Sequence, residues 1–98
     1  MSAVVITQAG ELDIATVPRL MERLAPHRQP GAVVILDLRA VGFMDCYSLG
    51  CLVGAHADSA TEGWTLRIRV ESPPVVRLLE LTGASRLLAF ELPAAAER

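Results

Sequence analysis

The chain has 98 residues, 52% of them apolar and only 4% aromatic, with nine basic residues, all Arg, and a net charge of −2. That length serves one small domain with a single aliphatic core, and mixed charge without an arginine run or interleaved aromatics argues against a nucleic-acid face. The longest apolar stretches, Val33 to Leu36 and Leu49 to Ala57, fall short of the ~20 residues of a membrane span and no charged-then-apolar leader precedes the first strand, so a soluble, cytoplasmic domain is expected.

Val4-Val5-Ile6-Thr7 is β-branched and bounded by Ala9-Gly10, which predicts a strand. After Gly10-Glu11-Leu12-Asp13, the residues Val17, Leu20, Met21 and Leu24 recur at helical spacing, Pro18 suits a first turn, and Pro26 and Pro30-Gly31 stop the helix. Val33 to Leu38 is apolar almost throughout, the pattern of a central strand covered on both faces. A short loop through Phe43-Met44 then leads to Asp45, the expected N-cap of a helix with Leu49, Leu52, Val53 and Ala60 on its apolar face. Gly50, Gly54 and Ala57 form a small-residue stripe along which this helix is expected to approach the sheet. Trp64, Leu66, Ile68 and Val70 alternate with Thr65, Arg67 and Arg69, a half-buried strand. Ser72-Pro73-Pro74 opens a third helix with Val75, Leu78, Leu79 and Thr82 on one face and Gly83 as its stop. Leu87 to Leu92 is expected to form a short edge strand, and Pro93 to Arg98 a frayed helical turn. The resulting β-α-β-α-β-α-β order predicts one α/β layered domain over residues 1–98, with an about four-stranded, mostly parallel sheet, three or more helices, and functional loops at the carboxyl ends of the strands.

The chemistry concentrates where the second strand meets the second helix. Cys46 and Cys51 are five apart, on different faces of a helix and unsuited to a disulfide. Without a Cys-x-x-Cys, and with only His27 and His56 to help, no zinc site is assigned. Cys51 reads as a small core residue. Cys46, at the first helical position, offers a redox or nucleophilic alternative because a helix N-terminus favours a thiolate; Asp45 beside it opposes ionisation, and no His stands near it in sequence. Asp45 is read as a cap with one carboxylate oxygen left for a partner, Asp13 and Asp37 as groups that turn loops, and His56 as a core-edge residue. Glu11 and Asp13 stand too far from other acids to argue a general acid/base pair. No catalytic residue, metal or cofactor is assigned.

Taken in order, Gly10-Glu11-Leu12-Asp13 with Thr16-Val17-Pro18, Val34-Ile35-Leu36-Asp37-Leu38 before Phe43-Met44-Asp45, and Leu81-Thr82-Gly83 before Arg86-Leu87-Leu88 resemble the STAS domain family, typified by bacterial anti-sigma factor antagonists. The resemblance implies a binding module rather than an enzyme, whose partner is an anti-sigma factor with an ATP-binding, serine-kinase fold and whose effect is on sigma-factor-dependent transcription. It implies a partner surface at the start of the second helix, here Asp45, Cys46, Tyr47, Ser48 and Leu49. In the family that start usually reads Asp-Ser-Ser-Gly, and the second residue after Asp is the serine that the kinase phosphorylates to release itself. This chain reads Asp45-Cys46-Tyr47-Ser48, so Tyr47 occupies the acceptor position and Ser48, where the family usually has Gly, is the candidate for phosphorylation. A large ring at a helix start is a credible interface anchor. The alternative is a STAS scaffold with no phosphate switch, binding its partner constitutively within a signalling assembly.

STAS domains also commonly carry a strand before the one at Val4, and here only Met1-Ser2-Ala3 precede it. An open β-branched edge at Val4 to Thr7 invites pairing with a second copy, a weak homodimer.

Overall fold

In a computed structural model, which describes residues 3–87 and the strand at residues 90 and 91, the elements follow the expected order. They are β1 (Val4–Leu12), α1 (Val17–Leu24), β2 (Val33–Met44), α2 (Cys46–Glu62), β3 (Thr65–Arg69), α3 (Pro73–Thr82) and β4 (Phe90–Glu91). Proline stands in the first turn of α1 and of α3, where a missing N–H costs no helical bond. Gly63 and Gly83 end α2 and α3 at φ +82° and +78°, left-handed values that a side chain disfavours. The expected turn at residues 93–98 lies outside the described residues.

The four strands form one parallel sheet in the order β1-β2-β3-β4. Because each strand is added beside the last in the same direction, crossovers of one hand bring the intervening helices to the same face. Burial follows that geometry. Ile6, Val34, Leu36, Leu38, Leu66, Ile68 and Val70 are buried, together with Val17, Leu20 and Leu24 of α1, Leu49, Leu52 and Ala55 of α2, and Val75 and Leu79 of α3. The alternate residues Val5, Thr7, Thr65 and Arg67 are exposed, and Val33, Ile35 and Asp37 are half-buried.

The continuous apolar run of β2 therefore does not mark a strand covered on both faces, as its composition suggests. Among the described residues, its second face leaves Val33, Ile35 and Asp37 only half-buried. Asp37 does not turn a loop: it lies within β2 and pairs with Arg39 at 2.8 Å.

The strand also runs further than its pattern indicates, to Met44 rather than Leu38. Its register with β1 shifts twice, between Thr7 and Ala9 and between Gly10 and Glu11, each time with an additional residue on β2. These irregularities reset the inward positions from every second residue (Val34, Leu36, Leu38) to Val41 and Met44, so the alternation that identifies a strand is lost. They also bring Met44, the end of β2, level with Leu12, the end of β1, and deliver Asp45 beside it.

The inward stripe of α2 is Ser48, Leu49, Leu52, Ala55 and Ser59. Gly50, Gly54, Ala57 and Ala60 face outward instead, and a Cβ added at Gly50 or Gly54 would meet nothing within 4 Å. The expected glycine contact with the sheet is not made. Cys51 packs against the core partly buried, and His56 is half-buried. At the far end of α2, Arg28 pairs with Asp58 and Glu62, each at 3.0 Å, and lies 5.3 Å from the centre of the Trp64 ring. Trp64 Nε1 donates to Glu62 at 2.8 Å. No helix among the described residues is long and apolar enough to cross a membrane.

Neighbouring residues of β2 test the one-sided core. Leu36→Ala is expected to cost about 2–5 kcal/mol and Ile35→Ala less than half of that, measured as the change in urea midpoint at constant m-value.

Candidate functional site

Two loops meet at the carboxyl end of the sheet, one leaving β1 and one leaving β2, and a single carboxylate joins them. Asp45 Oδ1 accepts the backbone N–H of Ser48 at 2.8 Å, the N-cap bond of α2. Its Oδ2 accepts the N–H of Ile14 at 3.1 Å, and its own N–H donates to the Leu12 carbonyl at 3.1 Å. The capping role is as expected; the idle carboxylate oxygen is not, since each oxygen holds a backbone donor.

The β1 loop is stiffened from its own side. Asp13 Oδ1 accepts from the N–H groups of Ala15 (2.9 Å) and Thr16 (3.0 Å), and the Thr16 hydroxyl donates to the Glu11 carbonyl at 2.9 Å. The Gly10-Glu11-Leu12-Asp13 and Thr16 pattern is thus a folded turn that presents Ile14, 63% exposed, next to the start of α2. Phe43 (48%) on β2 and Tyr47 (55%) on α2 are likewise exposed. Ile14 carries no local signal of exposure, since it stands three residues before Val17, at the spacing of the inward positions of α1.

The other residues expected at this surface divide. Cys46 and Tyr47 are exposed, whereas Ser48 and Leu49 are buried at 0% and 5% exposure. The Ser48 hydroxyl finds no hydrogen-bond partner among the described residues. As placed, this hydroxyl is not presented at the surface. Leu49 is an inward core residue whose edge reaches the groove beside α2.

Cys46 and Cys51 are both free thiols. His56 is ten residues along the same helix from Cys46, roughly 15 Å at 1.5 Å per residue, too far to act as its base. No group of three or more His, Cys, Asp or Glu gathers to hold a metal among the described residues.

Residues 1–95 match the STAS domain family. The chain belongs to that family. Two curated relatives of this STAS protein are named anti-sigma-B factor antagonist: one from Bacillus subtilis, 32% identical over 80 residues that cover 82% of this chain and 73% of the relative, and one from Staphylococcus aureus, 39% identical over 80 residues that cover 81% and 74%.

The Asp45 bonds set a pH dependence for this STAS domain. The N–H of Ser48 foremost, and after it the N–H of Ile14, hold its carboxyl below the usual carboxylate range. A depressed folded value stabilises the fold above the unfolded value and loses that contribution as pH falls through the folded one. Asp45→Asn keeps a capping oxygen without the charge. It is expected to lower stability at pH 7 and to narrow the difference from wild type by pH 3, read from urea midpoints at both.

Removing the unpartnered hydroxyl acts oppositely. Ser48→Ala is expected to raise stability by roughly 1 kcal/mol, because a buried polar group without a partner carries its desolvation cost into the folded state. Thermal melts of the two proteins check this.

Proposed function

We propose that this chain acts as an anti-sigma factor antagonist, a regulator that binds an anti-sigma factor through the surface at the start of α2 and so controls sigma-factor-dependent transcription in the cytoplasm. The observation that carries the reading is an exposed aromatic ring, Tyr47, on the first turn of α2 in a chain whose relatives carry that antagonist name. Apolar side chains held in the open by a stiff backbone mark interaction surfaces. Tyrosine is enriched among the few residues that dominate binding, and Ile14 and Phe43 are exposed on the neighbouring elements.

The partner in this reading is an anti-sigma factor with an ATP-binding, serine-kinase fold. Two observations favour a constitutive complex over a phosphate-released one. Tyr47 stands at the acceptor position, its hydroxyl several ångströms farther from the backbone than a serine's, and Ser48 beside it is buried. A phosphate in a contact surface costs affinity through desolvation and like-charge repulsion. With no hydroxyl available in the required place, that means of release is lost. The chain then works as a scaffold that holds its partner irrespective of nucleotide.

Self-association through β1 is disfavoured at mid-strand, since Arg23 Nη1 donates to the Thr7 carbonyl at 2.9 Å and so covers part of the edge. A pairing of two copies would have to form around it.

Affinity capture from the native cytoplasm, with and without ATP, followed by titration of the purified kinase-fold partner, tests the proposal. Recovery of an anti-sigma factor in both conditions, no added phosphate by intact mass, and a loss of roughly 30-fold in affinity for Tyr47→Ala, about 2 kcal/mol, are expected. Addition of one phosphate with release of the partner would overturn the constitutive reading. Wild-type affinity in Tyr47→Ala would remove the α2 start from the interface.

A further inference from the structure

A second feature adjoins the start of α2. Cys46, Leu49 and Val53 of α2, with Gly50 between them, and Thr82, Ala84 and Leu87 line a groove of about 270 Å³. Its walls are apolar, and its one hydroxyl is already engaged, because Thr82 Oγ1 donates to the Leu78 carbonyl at 2.7 Å. Leu87 is 61% exposed at its rim, and Leu81, beside Thr82 in sequence, is 79% exposed.

We infer that this groove is a second anchor point for the same anti-sigma factor, filled by an aliphatic or aromatic side chain of that partner. The inference rests on the proposed function and extends its surface from the start of α2 along the helix to the end of α3. Continuity carries it: Cys46 belongs both to the exposed first turn that holds Tyr47 and to the groove wall, so a protein seated on Tyr47 reaches the groove without a gap. The chemistry selects the occupant. Small-molecule sites typically occupy about 300–1,000 Å³ and aim several polar groups at the ligand; this groove is smaller and aims none of that kind. An exposed leucine, Leu87, on the rim of an apolar groove is instead what a protein interface covers.

Gly50 permits a test that leaves the fold intact. A side chain there points into open space, and any residue other than Pro improves helix propensity over Gly. Binding of the purified anti-sigma factor captured by the wild-type chain is measured by calorimetry for Gly50→Leu, which adds a bulky side chain at the groove lining, Gly50→Ala, which adds only a methyl, and Leu87→Asp, which charges its rim. Affinity is expected to fall at least tenfold for Gly50→Leu and Leu87→Asp and to stay within threefold for Gly50→Ala, with an unchanged or raised melting temperature at Gly50. Binding within twofold of wild type in both Gly50→Leu and Leu87→Asp, alongside a loss in Tyr47→Ala, overturns the second anchor and leaves the α2 reading standing. Equal losses in Gly50→Ala and Gly50→Leu overturn it as well. A wild-type chain that binds no anti-sigma factor overturns both.

Discussion

The arrangement of the surface depends on one carboxylate that serves two chains of backbone at once. Asp45 closes the first turn of α2 with one oxygen and holds the β1 loop with the other. A neutral cap with one acceptor oxygen satisfies either donor, but only a branched acceptor placed between the two joins them. The two register irregularities on β2 make this geometry available, because they lengthen that strand until its end stands level with the end of β1. The exposed Ile14 and Tyr47 are thereby held on backbones tied to the same side chain.

The same economy governs the core. A sheet whose strands follow chain order has its helices on one face, so the buried set divides between that face and the inward stripes of three helices. Ser48 lies on the inward stripe of α2, one turn from the cap, and this position accounts for its burial. In a protein that regulates through a serine at the start of this helix, the acceptor must stand on the outward side of the same turn. Here that side carries Tyr47.

Much of this was legible in the sequence. Helical spacing in Val17 to Leu24 and in Val75 to Leu79, the prolines that open α1 and α3, the Asp45 cap and the Gly83 stop are local signals, and local geometry honours them. What was not legible depended on distant residues. The extension of β2 to Met44 is written in its pairing with β1, and the bulges remove the alternation that would announce it. The run Val33 to Leu38 has one composition whether helices cover one face or two; strand order decides, and strand order is no local property. The outward turn of Gly50 and Gly54 could not be read from their size, and Ile14 was hidden by an accidental fit to the helical spacing that follows it.

The two ends of α2 are fastened by different means, the carboxylate of Asp45 at one and the Arg28, Asp58, Glu62 and Trp64 cluster at the other. A helix fastened at both ends starts nearer to a single arrangement than one free at either. Association at such a surface carries a small ordering cost on this side of the complex, and the encounter rate is governed by orientation and by whatever the partner must rearrange. In the proposed complex, timing resides in what the partner must rearrange, and this chain serves as the template against which it is set.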